Sequence, residues 1–279
     1  MSQQPLAYLD GEFLESSEGR PIRILSEYLE PLRRFREQKI QDTVVFFGSA
    51  RVDSRERAER ALKTLRARGV NETDAQFQAE LNRSKKHVEW ARYYEDAREV
   101  ARRLTAWSVS LRAEHHRFVV TSGGGPGIME AANRGAHDVG AKSIGLNITL
   151  PREQFPNPYV TPELCFTFHY FAIRKLHFLL RARALVAFPG GYGTLDEIFE
   201  VLALAQTRKL QPVPVILVGE SYWRQVFNPQ FLIEEGVIEP EDRDLFWFAE
   251  SADQIWRDIL AWYEAAGRPL MPPGTGVSR

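Results

Sequence analysis

The sequence predicts an α/β fold, a doubly wound parallel sheet with helices on both faces. Three observations predict it. Apolar runs of strand length at residues 43–47, 143–148, 184–188 and 213–218 suit strands buried on both sides. Strand, helix and strand between Arg117 and Ile148 form a βαβ unit, which crosses over right-handed into a parallel sheet. Two glycine-rich turns, residues 122–127 and 189–194, each follow a strand and open a helix. That arrangement is Rossmann-like.

Residues 1–40 are mixed and polar, and Pro5, Pro21 and Pro31 break any long element. A helix is expected over Glu27–Gln38 with Pro31 in its first turn. This N-terminal helical extension is expected to pack on the core or on a partner subunit. Residues 41–265 form the Rossmann-like domain, with a helical insertion at about 54–113. Its first strand, Thr43–Phe47, ends in Gly48-Ser49-Ala50-Arg51. A charged helix over Ser54–Gly69 shows a thin apolar stripe of Ala58, Leu62 and Leu65, and 70–83 reads as a polar connection.

A long helix follows over Lys85–Ala113, where Val88, Ala91, Tyr94, Ala97, Ala101, Leu104, Trp107 and Leu111 recur at helical spacing. That stripe reads as core packing. Arg117–Thr121 is a strand, Ile128–Val139 a helix and Ser143–Ile148 a strand. Four prolines make residues 150–162 a loop. A helix carrying Phe171, Leu176, Leu179 and Leu180 leads into the central strand, Ala184–Phe188. In the next helix Thr194 is placed to cap, with Asp196 and Glu197 in the first turn. Val213–Val218 and Leu245–Ala249 complete the strands, Ala252–Ala265 is the last helix, and 266–279 is expected to be a disordered tail.

Composition narrows the function classes. Of 279 residues, 44% are hydrophobic and 26% charged, the profile of a globular protein with a substantial core. A net charge of −1 gives no electrostatic case for nucleic acid. A single cysteine, Cys165, excludes an internal disulfide and a cysteine-based metal site. The histidines show no metal-ligand spacing, so no metal is expected. No signal peptide is visible and no apolar run approaches the roughly 18 residues that span a membrane. The expected location is the cytoplasm.

Ligands of doubly wound sheets bind beyond the carboxyl ends of the strands, where strand order switches. Both glycine turns are therefore expected to face one pocket and hold one phosphorylated ligand, since a helix N-terminus presents unpaired N–H groups to an anion. Gly123-Gly124-Gly125-Pro126-Gly127 lacks the acidic residue of a dinucleotide fingerprint, and no G-K-[S/T] P-loop occurs. A mononucleotide remains. Glu197 is badly placed for binding an anion and well placed for chemistry. Ser49 and Arg51 are candidates to line the pocket from their position at a strand end.

The two turns, Met129-Glu130, Arg174-Lys175 and P-G-G-Y-G-T-L-D-E over Pro189–Glu197 together resemble the Lonely Guy family, phosphoribohydrolases that release cytokinin bases from riboside 5′-monophosphates. The resemblance spans roughly Thr43–Ala249. It implies hydrolysis of a purine nucleoside 5′-monophosphate, with Arg174 and Glu197 catalytic. Gly190, Gly191, Tyr192, Gly193 and Thr194 would hold phosphate; Gly123, Gly124, Gly125, Met129, Glu153 and Lys175 would bind substrate. No cofactor is implied, and the partner is a second copy of the chain in a homodimer or larger homo-oligomer. Members are often labelled lysine decarboxylases, but no Ser-x-His-Lys motif for pyridoxal phosphate is present. Two departures from the plant enzymes, Ala172 two residues before Arg174 and Ala203 beyond the glycine motif, leave adenine against N6-prenyladenine open, and the length suits the longer bacterial branch. The alternative is a non-catalytic nucleotide or molybdenum-cofactor carrier of the same fold.

Overall fold

The computed structural model describes residues 6–68, 74–150, 155–268 and 270. In chain order its elements are α1 (Gly11–Glu15), α2 (Arg20–Glu37), β1 (Thr43–Phe47), α3 (Arg55–Arg66), α4 (Ala75–Ser110), β2 (Val119–Ser122), α5 (Ile128–His137) and β3 (Ser143–Ile148). There follow β4 (Cys165–Phe168), α6 (Phe171–Leu179), β5 (Ala182–Ala187), α7 (Tyr192–Gln206), β6 (Val215–Val218), α8 (Glu220–Val226), α9 (Pro229–Glu234), β7 (Trp247–Ala249) and α10 (Ala252–Ala265). The seven strands form one parallel sheet in the order β4-β3-β2-β1-β5-β6-β7. The chain winds outward from β1 to β4, then returns to the other side of β1 as β5. The switch point therefore lies between β1 and β5.

Side-chain alternation splits the core in two. Val44, Phe46, Val120, Ala184, Val186, Ile216 and Val218 pack under α4, α5 and α10. Val45, Phe47, Leu146, Leu185, Ala187 and Leu217 pack on the other face against Phe35 of α2, Phe178 of α6, Ile198 of α7 and Trp223 of α8. Both sheet faces are covered, which is why the strands read as continuous apolar runs. Among the described residues no helix is long and apolar enough to cross a membrane.

The structure differs from the sequence reading in five places, each with a local cause. Helix α2 begins at Arg20, with Pro21 at its N-terminus, and Pro31 lies inside it rather than in the first turn. A proline at that position removes the donor that would bond the Glu27 carbonyl; His177 Nε2, 3.0 Å away, meets that oxygen instead. The long helix begins at Ala75, where the Asp74 side chain accepts from Gln76 N–H, so much of the expected connection is helical. Strand β4 lies in 163–170, to which the sequence assigns no element; Phe166 and Phe168 point inward from this short edge strand. Helices α8 and α9 follow β6 where the sequence showed only scattered apolar residues.

The fifth difference concerns Thr194. Helix α7 begins at Tyr192 after a Gly191 cap, and no side chain caps it. Thr194 instead lies within the first turn and is buried. At the chain end, Leu270 packs against the core while 269 and 271–279 lie outside the described residues.

The N-terminal elements are tied to the layer that carries α6. The Glu27 carboxylate accepts from His169 N–H at 2.7 Å and Tyr170 N–H at 3.1 Å, capping α6 from another helix. Arg34 donates to the carbonyls of Glu163 and Cys165, each at 3.0 Å, and stacks 3.9 Å over the Phe166 ring.

Candidate active site

A cavity of about 600 Å³ opens at the carboxyl ends of β1 and β5, at the switch point. The turn after β1 contributes Gly48, Ser49, Ala50 and Arg51; the turn after β5 contributes Gly190 to Thr194. Trp90 of α4, Gly123, Met129 of α5, Arg174 and Phe178 of α6, and Glu197 of α7 complete the wall.

Two glycines make this junction possible. Gly127 has φ +72°, and a Cβ there would lie 2.3 Å from the Ser49 carbonyl oxygen. That close approach lets Ile128 N–H donate to the same oxygen at 3.1 Å, joining the β1 turn to the start of α5. At Gly190 a Cβ would lie 2.1 Å from Thr194 Oγ1, so Thr194 fills the space a side chain would need. The Gly190 carbonyl accepts a hydrogen bond from the Tyr222 hydroxyl. Trp90 meets the Tyr222 ring edge-on at 5.8 Å, so one tyrosine supports both the turn and a cavity wall.

Beyond this turn, the first N–H groups of α7 have no intrahelical acceptor, and the helix dipole adds partial positive charge there. An anion fits that position. One turn further along α7, Glu197 reaches the cavity with 5% of its surface exposed. Burial pushes its carboxyl up to about 7, against the opposing pull of Arg174 and Lys175. Arg174 Nη2 donates to Glu197 Oε1 at 3.0 Å. Arg174 Nε is buried with no hydrogen-bond partner among the described residues, and the guanidinium lies 4.9 Å from the Phe171 ring centroid. The arrangement offers an anion-binding turn, a carboxyl that titrates near neutrality and a cation that can serve either.

Of the residues singled out from sequence, Gly123, Met129, Arg174, Gly190, Gly191, Tyr192, Gly193, Thr194 and Glu197 line this cavity, and so do Ser49 and Arg51. Gly124, Gly125 and Lys175 are not among the lining residues. The carbonyls of Gly124 and Gly125 both accept from Asn157 Nδ2 at 3.0 Å, a contact that shapes the turn. Lys175 Nζ lies 2.7 Å from Asp196 Oδ1 and 3.2 Å from Glu200 Oε2. Glu153 lies outside the described residues. Sequence reasoning missed Trp90 and Phe178. Trp90 sits one position before Ala91 of the apolar stripe, and an aromatic beside such a stripe was the available signal. Among the described residues no group of three His, Cys, Asp or Glu side chains could hold a metal ion.

Residues 129–259 match a family model described as a possible lysine decarboxylase. Over 145 residues the chain is 29% identical to a probable cytokinin riboside 5′-monophosphate phosphoribohydrolase, LOG4, of Oryza sativa subsp. japonica, covering 51% of this chain and 62% of that protein. Over 147 residues it is 29% identical to the cytokinin riboside 5′-monophosphate phosphoribohydrolase LOG3 of Arabidopsis thaliana, covering 50% and 66%. The chain is similar to members of the Lonely Guy family over about half of its length. It spans less than two thirds of the length of either relative. Among solved structures, the molybdenum cofactor binding protein of Rippkaea orientalis is similar at TM-score 0.42 and 21% identity, covering 61% of this chain and 88% of that one. So loose a likeness bears on neither ligand nor activity.

The decarboxylase wording of the family model implies pyridoxal phosphate, which needs a free lysine amine at the cofactor. No lysine is among the residues lining the cavity. Lys175, beside Arg174 on α6, gives its ammonium to two carboxylates, and those partners hold its pKa above the ordinary value. These residues do not fit pyridoxal phosphate.

Proposed function

We propose that this protein hydrolyses the N-glycosidic bond of a purine nucleoside 5′-monophosphate, releasing the base and ribose 5-phosphate. The observation that carries this reading is Glu197, a buried carboxyl held by Arg174 one helical turn from an anion-binding N-terminus. A purely binding site has no use for an acid there. The activity named for the rice and Arabidopsis relatives supports the same reaction class.

The 5′-phosphate binds the turn at Gly190–Thr194, and this remote contact sets the ribose C1′ against Glu197. Trp90, Met129 and Phe178 supply apolar wall for a flat base. As C1′–N9 breaks, the bonding pair leaves with the base and positive charge builds on the ribose, as in glycoside hydrolysis. Ionised Glu197 stabilises that charge and takes a proton from the attacking water, whose oxygen bonds to C1′. The departing nitrogen takes its proton from solvent. A carboxyl that titrates near 7 suits a general base at neutral pH. Arg174, bonded to it and lining the same cavity, keeps enough of it ionised.

The base is adenine or N6-prenyladenine. Chromatography of the protein incubated with AMP and with isopentenyladenosine monophosphate tests both. Free base with ribose 5-phosphate is the expected result, and the rate ratio chooses the substrate. No base released from either substrate, with AMP still bound, overturns the hydrolase in favour of a carrier. We also read the chain as a homodimer or larger homo-oligomer, because Leu25 and Leu29 of α2 and Leu176 and Leu180 at α6 are apolar and exposed. Sedimentation at the monomer mass of 32.0 kDa would refute that.

A further inference from the structure

A second cavity, of about 350 Å³, lies at the opposite end of the sheet. It opens where the chain enters β1, β2 and β5, under the last turns of α4 and α10. Its walls include Trp107, Phe118 and Tyr263, with Arg117, Arg183 and Arg268 around them. None of these residues has a part in the reaction proposed above.

Charge in this cavity is unbalanced. Of the described residues Arg117, Arg183 and Arg268 line it, no carboxylate does, and Asp42, 1% exposed, lies behind the first two. Arg117 Nε lies 2.7 Å from Asp42 Oδ2, and Arg183 Nε lies 3.7 Å from the same oxygen. Among the described residues Arg268 has no acidic partner. Two positive charges are therefore left over. Within a cavity whose other walls are apolar, such an excess attracts an anion more strongly than it would on open surface.

The floor is built for a ring. Phe118 has φ +50°, a left-handed conformation that a bulky residue adopts only when its surroundings hold it there. Asp42 Oδ1 accepts from Phe118 N–H and provides that hold. The conformation sets the Phe118 ring 4.9 Å from Trp107 and 5.9 Å from Tyr263, both edge-to-face, with the Arg117 guanidinium 5.2 Å from its centroid. The buried acid that neutralises part of the arginine charge thus also fixes the aromatic floor. A cavity of this size falls at the lower end of small-molecule sites, roughly 300–1,000 Å³.

We infer that this cavity is a second ligand site, taking a small planar aromatic anion whose phosphate or carboxylate meets Arg183 and Arg268 while its ring packs on Phe118, Trp107 and Tyr263. The site is separate from the cavity beyond β1 and β5, so occupancy does not depend on the hydrolase reading.

Titration calorimetry on the full chain tests it with phenyl phosphate and benzoate as probes, and inorganic phosphate and phenol as half-ligands. Saturable binding of phenyl phosphate or benzoate is expected, at least tenfold tighter than either half-ligand. Arg183→Ala and Arg268→Ala should each weaken it at least tenfold. Both side chains lie on the rim, and Arg268 follows the last helix, so Arg268→Ala leaves the melting temperature unchanged. Arg117 is a poor choice, because its loss strands the buried Asp42. Absence of saturable binding overturns the site. So does binding unchanged in both variants, which would place the probe elsewhere, and so does inorganic phosphate binding as tightly as phenyl phosphate.

Discussion

Arg174 and Glu197 stand 23 residues apart in sequence on separate helices, yet Nη2 of one lies 3.0 Å from Oε1 of the other at the base of one cavity. The pair is almost fully withdrawn from water, with side-chain exposures of 13% and 6%. A buried ion pair of this kind is weak evidence for stability, since desolvation offsets much of the attraction. Its position at the switch point, beside a helix N-terminus that suits an anion, accords with the chemistry proposed above.

Replacing Glu197 separates binding from turnover. Glu197→Gln keeps the shape and removes the carboxylate, so kcat should fall by roughly 10²–10⁴-fold. AMP affinity should stay within about tenfold, because the phosphate turn is untouched. Chromatographic rates and calorimetry on the same preparation check both halves. Loss of AMP binding along with turnover would mark Glu197 as structural.

The raised pKa of Glu197 has a sign that can be measured. Its carboxyl titrates at about 7 in the fold against a reference of 4.5, so the folded chain holds a proton that the unfolded chain has released between those values. Stability from this group is complete below about pH 4.5 and declines as pH rises to about 7. Glu197→Gln does not titrate. The difference in melting temperature between wild type and variant should therefore shift against wild type from pH 5 to pH 8. Parallel curves would mean that the carboxyl is not raised.

Arg174 lowers the Glu197 pKa, so its removal should act on the pH profile as well as the rate. Wild-type kcat/KM should lose activity below about pH 7 as Glu197 is protonated. In Arg174→Ala that acidic limb should move to higher pH. A rate loss with an unmoved limb would assign Arg174 to phosphate binding alone.

The turn after β5 depends on a missing side chain at one glycine and not at another. Gly190→Ala places a methyl group against Thr194 Oγ1, whereas a Cβ on Gly193 meets nothing within 4 Å. Overpacking of this kind costs about 1–3 kcal/mol. Urea denaturation should show that loss for Gly190→Ala and little change for Gly193→Ala.

Helix α6 borrows its cap from the N-terminal segment. Glu27→Ala removes the acceptor for His169 and Tyr170 N–H and should cost about 1 kcal/mol. Glu27→Asp, one methylene shorter, should recover only part of it. Equal stability of all three in urea titrations would dismiss the cap.

The sequence by itself determined the sheet core, both glycine turns and the candidate residues after β5. Thr43–Phe47, Ser143–Ile148 and Ala252–Ala265 have the boundaries that periodicity and flanking residues predict, because a strand buried on both faces must be apolar throughout and a surface helix must carry a stripe. Glu197 was legible because an acid beside a glycine turn conflicts with the local pattern. Edge strand β4 was not legible, since four residues after a proline-rich loop carry too little periodicity. Of α2 only the part from Glu27 onward was legible, because Pro31 hid a longer helix whose freed carbonyl is answered by His177, 150 residues away. Only the tertiary structure decided that Trp90 and Phe178 reach the cavity while Lys175 turns to Asp196 and Glu200. It alone grouped Asp42, Arg117, Phe118 and Arg183 at the other end of the sheet. The physical reason is range: propensity and capping act within a few residues, whereas which side chains share a cavity depends on strand order.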